Sequence, residues 1–342
     1  RDKIEMTEEI TLPAFAIGAI NLASPRLGSD VIYATDDFFA DKSRLLKVEE
    51  PVFIADKYDE HGKWMDGWES KRRRIPGNDH CIVRLGAKGV ITGVDINTSH
   101  FTGNHPPQGS IEGALTDAEP DENTAWSEIL PISDLNADSH NFFETSTDAA
   151  YNYLRFNIFP DGGVARLRVY GNPVCEWKRQ DPNGLQELSA VVNGGNIVGF
   201  NDAHYGDPWV ILAPGRGVNM GDGWETRRRR DPGNDWIVVS LGAAGTVERI
   251  EVDTAHFKGN YPDRCSVQAA LVENPDDEDL LTDECRWQNL MGEQKLEMDR
   301  IHNFEGDLIN KLGVVSHVRL NIFPDGGVSR FRIFGKLAKD DA

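Results

Sequence analysis

Two pairs of segments carry the side chains best suited to chemistry in this chain. The first is Asp66-Gly67-Trp68-Glu69 followed by Arg72, Arg73 and Arg74. It returns 156 positions later (222 minus 66) as Asp222-Gly223-Trp224-Glu225, followed by Arg227, Arg228, Arg229 and Arg230. A glutamate can carry a proton. An arginine fork binds a carboxylate or a urea carbonyl at two points, which the point charge of lysine does not. The second pair is Thr98-x-His100-Phe101-x-Gly103-Asn104 and Thr254-x-His256-Phe257-x-Gly259-Asn260. Histidine exchanges protons near neutral pH. We therefore expect Glu69, Glu225, His100, His256 and Asp202 to do the proton chemistry. Arg72, Arg228, His204, Asn104 and Asn260 are expected to bind substrate. Asp202 and His204 face Asp36 and Phe38 in the first copy, so the added histidine favours the second copy for chemistry. Each residue also has a plainer use: a packed Trp, a Glu on nearby amides, a structural His, an Asn shaping a Gly-Asn turn.

Strands must position these groups. In Val94-Asp95-Ile96-Asn97-Thr98 and Ile250-Glu251-Val252-Asp253-Thr254, apolar and polar residues alternate as in a half-buried strand. On that count Val94, Ile96, Thr98 and His100 share a face, as do Ile250, Val252, Thr254 and His256. The same parity lets at most half of each arginine run face one pocket. Asp161-Gly162-Gly163 and Asp325-Gly326-Gly327 are placed as the positive-φ residues of hairpin turns. Many short strands with turn residues between them predict an all-β chain of two tandem jelly-roll sandwiches. The copies span 21–172 and 188–336, and 173–187 is a linker whose polar core is 178–184.

The remaining composition narrows the partners. The chain has 342 residues, enough for two domains with cores of their own. Its formal charge of −20 repels nucleic acid and anionic membrane surfaces. Acidic loops contribute: Asp117, Glu119, Asp121 and Glu122, then Asp276, Asp277, Glu278 and Asp279. A small anionic substrate needs a local positive pocket, which the arginines can supply. No apolar run approaches the ~20 residues of a membrane helix, and residues 1–6 lack the order of a secretory leader. Cys81, Cys175, Cys265 and Cys285 show no CxxC spacing and none recurs between copies. That argues against a disulfide frame or structural zinc and fits a reducing cytoplasm. A divalent metal assembled from Asp, Glu and His on separate strands stays compatible with the sequence; no other cofactor is implied. A homo-oligomer is expected.

The paired Asp-Gly-Trp-Glu-[Ser/Thr]-x-Arg, Thr-x-His-Phe-x-Gly-Asn-x-Pro and Pro-Asp-Gly-Gly-Val-x-Arg-x-Arg segments together resemble the allantoicases. So does the opening Asn21-Leu22-Ala23-Ser24-Pro25-Arg26-Leu27-Gly28. The resemblance covers nearly all of both copies. It implies galactose-binding-like, discoidin-like sandwiches and hydrolysis of allantoate to ureidoglycolate and urea. It also places Glu69, Arg72 and His100, with Glu225, Arg228 and His256, inside the signature segments. A non-catalytic tandem module binding glycans is the competitor. It predicts exposed loop aromatics and a disulfide-bearing chain, and the cysteines here argue against it. His80 facing Trp236 and Phe38 facing His204 show that the copies are not two identical sites. Either one copy has become scaffold or the two build a composite site.

Overall fold

The computed structural model describes residues 12–16, 19–177, 184–272, 278–282 and 286–338. Residues 1–6, 178–183, Asp276, Asp277 and Cys285 lie outside them. The chain divides into two units at the Asn172/Pro173 boundary, each a jelly-roll β-sandwich. Short 3₁₀ turns are the helical structure among the described residues, and no helix there is long and apolar enough to cross a membrane.

One 19-residue strand organises each unit, Asp79–Asn97 in the first and Asp235–Asp253 in the second. Residues 79–84 pair with Ala150–Phe159 on one side and Asp30–Ala34 on the other. The layer extends outward through Gln108–Ala114 to Ser127–Asp134. Residues 93–97 pair instead with His140–Glu144, beside Arg166–Pro173 and Ile20–Asn21. The strand thus serves both layers and must bend between them. Gly86 allows this, because a Cβ there would collide with the Leu27 carbonyl; Gly242 stands in the same relation to Asn193. Val83, Ile91, Val94, Ile96, Leu154, Phe156 and Leu167 fill the space between the first unit's layers. Each contributes roughly 1.5–3 kcal/mol by leaving water.

The alternating polar residues of the long strands do not face solvent as their pattern predicted. Asp95 and Asn97 are buried, as are Glu251 and Asp253. Other strands cover that face and bring partners to it. Asp95 holds His140 Nδ1 at 2.6 Å. Glu251 pairs with both Arg216 and Arg332, and Asp253 lies 3.2 Å from Arg216. Deeper still, Arg166 is fully buried. It donates to Asp66 Oδ2 (2.7 Å) and to the carbonyls of Asp66 (2.8 Å) and Glu49 (2.8 Å). Arg330 repeats the bond to Asp222 at 3.1 Å. A charge this deep is tolerated because it is paired and hydrogen-bonded. Cys81 and Cys265 are packed as small apolar groups, and burial pushes the Cys265 thiol up to about 12. Asp117, Glu119, Asp121 and Glu122 are exposed, as loop tips should be.

Candidate active site

A two-residue strand, Trp68–Glu69, pairs with Gly163–Val164 and sets the site in the first unit. Trp68 is fully buried, and its indole Nε1 donates to the Asp36 carbonyl at 2.8 Å. Gly67 precedes it because a Cβ would strike the Val164 carbonyl. The next residue projects the other way from the strand, so Glu69 emerges opposite the Trp anchor. It is still only 9% exposed, and its Oε1 accepts from Asn104 Nδ2 at 2.7 Å. Asn104 is held in turn, since its carbonyl accepts the Gly163 N–H at 2.7 Å. Burial raises the Glu69 carboxyl above its ordinary range, and the Asn104 hydrogen bond opposes this. The second unit repeats the arrangement. Trp224 Nε1 donates to the Asp202 carbonyl at 2.9 Å, and Asn260 Nδ2 donates to Glu225 Oε1.

The turn glycines divide their work differently from the hairpin expectation. Gly162 and Gly326 have positive φ, at 139° and 137°. Gly163 and Gly327 do not; they are glycine because the Phe101 and Phe257 rings occupy the space of a Cβ.

The arginine runs leave the strand after Glu69 and Glu225, so strand parity does not apply and consecutive arginines line one pocket. Arg73 is structural: its NH1 donates to Asp79 Oδ1 at 2.8 Å and its backbone N–H to Asp161 Oδ2 at 2.7 Å. Arg229 matches it on Asp235 and Asp325. Arg72 and Arg228 are exposed and line the pockets. Neither has a hydrogen bond or ion pair to any described residue.

The first pocket, of about 470 Å³, collects Glu69, Arg72, Arg73, Asn104 and His105. The second, of about 830 Å³, collects Glu225, Arg228, Asn260, His204 and Tyr261. Seven of the expected residues therefore converge, in matching sets within each unit. His204 Nδ1 accepts from Arg227 Nε at 2.9 Å, so its proton sits on Nε2.

His100, His256 and Asp202 do not line these pockets, and their expected places need correction. The long strands end at Asn97 and Asp253, so the face counted forward from Val94 and Ile250 stops short of the histidines. Both lie in a left-handed turn, with φ of 71° and 72°. Their Nε2 atoms face backbone carbonyls, Pro51 at 3.2 Å and Gly217 at 2.8 Å. They pin loops. Asp202 receives the Arg227 backbone N–H on Oδ2 at 2.7 Å and the Trp224 indole on its carbonyl. It shapes the loop rather than entering the pocket.

His105 lines the first pocket and was not singled out from the sequence. Its one visible mark there is that it follows Asn104 and differs from its counterpart Tyr261. No cluster of three or more His, Cys, Asp or Glu placed to hold a metal occurs among the described residues. Each pocket instead presents an asparagine-held glutamate, an unpartnered guanidinium, a carboxamide and an imidazole, to which the second adds a phenol. That set can bind an anion and move protons.

Both units match a family model described as the allantoicase repeat, over residues 20–174 and 186–338. The chain is 56% identical to "Probable allantoicase 1" of Burkholderia mallei, over 96% of this chain and 97% of the relative. It is 55% identical to "Probable allantoicase" of Ralstonia nicotianae, over 95% and 97%. Its structure is similar to the crystal structure of the Saccharomyces cerevisiae allantoicase, with a TM-score of 0.77 and 34% identity over 93% of each chain.

Proposed function

The chain belongs to the allantoicase family and is a hydrolase of allantoin breakdown; from that premise we propose that it cleaves allantoate to ureidoglycolate and urea in a pocket of the kind that lies beside Glu69 and recurs beside Glu225. The observation that carries this reading is the coupling, in both units, of an unpartnered guanidinium with a carboxylate held by a single asparagine amide. Allantoate carries a carboxylate on a carbon bearing two ureido groups. Arg72 or Arg228 supplies the fork for that carboxylate.

The reaction forms a C–O bond to water at that carbon and breaks one C–N bond, whose electron pair leaves with the urea nitrogen. Whether water adds before or after urea departs, two proton transfers are needed: one to the departing nitrogen and one away from water. Glu69 suits the first, because burial favours its protonated form. Glu225 holds the matching place in the second unit. His204, with its proton on Nε2, can donate to a ureido carbonyl. His100 and His256 hold loops in this scheme and move no proton.

The test is urea and ureidoglycolate release from allantoate by the purified protein, with and without added divalent metal. Release of neither product under both conditions refutes the proposal.

A further inference from the structure

We propose that His105 is the general base of the first unit's pocket, taking the proton of the attacking water; this assignment rests on the allantoate reading above. It lines the pocket with Glu69, Arg72 and Asn104, one residue after the asparagine whose amide holds Glu69. Its Nδ1 is buried without a hydrogen-bond partner, and its imidazole makes no hydrogen bond to any described residue. An enclosed Nδ1 does not meet the attacking water, so Nε2, the ring nitrogen that is not enclosed and has no described partner, is the one that accepts.

The other candidate histidines have a ring nitrogen already occupied. His100 Nε2 faces the Pro51 carbonyl at 3.2 Å, and His256 Nε2 faces that of Gly217 at 2.8 Å. His204 Nδ1 accepts from Arg227 at 2.9 Å, and a second proton on that ring would break the bond. His100 and His256 stand outside both pockets, and the open ring nitrogen of His204 already carries its proton, so His105 is the one of the four that lines a pocket with a ring nitrogen able to accept. The second unit places Tyr261 here. A phenol with an ordinary pKa near 10 is a poor base at neutral pH. This assigns water activation to the first unit, although His204 had made the second the favoured copy.

The step balances. A water O–H proton passes to Nε2 of the His105 imidazole as the water oxygen bonds to the central carbon. The C–N electron pair goes to the departing nitrogen, which is protonated by the Glu69 carboxylic acid. Solvent then carries the proton from imidazolium back to the Glu69 carboxylate. The other charged groups facing His105 across the pocket are Arg72, Arg73 and Asp161.

The test compares wild type with His105→Gln and His105→Tyr, reading kcat, KM and the pH profile of urea release beside the thermal transition. Loss of the base lowers kcat about 10²- to 10⁴-fold, leaves KM for allantoate within about threefold, and removes the acid-side limb of the kcat profile. A merely structural histidine would change the thermal transition and leave the shape of that profile intact. If both variants keep wild-type kcat and its acid-side limb, the assignment is overturned and the allantoate reading survives. If wild type releases no urea, the reading fails and takes the assignment with it.

Discussion

Replacing Asn104 by leucine isolates the hydrogen bond that tunes Glu69. The side chain keeps its approximate size and the backbone bond from Gly163 to the Asn104 carbonyl remains. Glu69 loses the amide at 2.7 Å from Oε1. A hydrogen bond to a charged group contributes about 1.5–3 kcal/mol, against about 0.5–1.5 kcal/mol for a neutral pair. Because the ionised form loses more than the neutral one, removing it raises the Glu69 pKa still further above its already elevated position. The sign follows from which form loses. Burial lifts the folded-state pKa above the unfolded one, so Glu69 costs stability progressively as pH rises through that interval. Asn104→Leu deepens the cost where Glu69 is ionised. Unfolding in denaturant should thus show a loss of about 1.5–3 kcal/mol at pH 8.5 and the smaller neutral-pair loss at pH 4.5. The alkaline limb of kcat should move to higher pH. An equal stability loss at both pH values, with an unmoved limb, would show that the amide does not tune Glu69.

Three further outcomes follow from the same geometry. Arg72→Ala should raise KM for allantoate about 10- to 150-fold, the equivalent of 1.5–3 kcal/mol for a charge-assisted pair. Its thermal transition should barely move, since Arg72 has no described partner to lose; an unchanged KM would refute the anchoring role. Arg166→Ala leaves Asp66 buried, which typically costs about 3–5 kcal/mol. Lys47 remains on Asp66 at 2.8 Å, so the low end is expected in denaturant unfolding, and a loss below about 1 kcal/mol would refute the pairing argument. The Asp95 hydrogen bond raises the His140 pKa against the opposing effect of burial. Its stabilisation is complete below the ordinary imidazole value and is lost as pH rises through the raised one. The stability gap between wild type and His140→Phe should therefore shrink from pH 6 to pH 9, and a constant gap would contradict it.

Much of the scaffold was legible because its signals are local. Alternation in Val94 to Asn97 and the glycines of Asp161-Gly162-Gly163 act within a few residues, and the repeat of whole segments 156 positions apart marks the two copies directly. Trp68, Glu69 and Arg72 also follow one another closely, which is why Glu69 and Arg72 were identified together and are found in one pocket. What stayed hidden depends on distant partners. His100 enters its left-handed turn because its N–H donates to Asp138 Oδ1 and Thr98 Oγ1 donates to the Asn136 carbonyl. Nothing within the strand announces either. The buried Arg166–Asp66 pair joins residues 100 apart, and Asp95 looked solvent-facing until His140 covered it.

Recurrence between the copies also selects for the wrong property. A residue kept in both units is one that both frames need, and the kept residues prove to be bonded internally. Trp68 and Trp224 hold Asp36 and Asp202, Arg73 and Arg229 hold Asp79 and Asp235, and His100 and His256 hold loop carbonyls. A group whose hydrogen bonds are already taken has little left for a ligand. Chemistry needs the opposite: side chains held in place by the frame yet unpartnered at the reacting atom. Arg72 and Arg228 pass both filters, being repeated and unpartnered. His105 passes only the second and is lost to any search that demands repetition. In a duplicated enzyme the frame is found where the copies agree, and the division of labour where a pocket position differs and its polar atom is left unpaired.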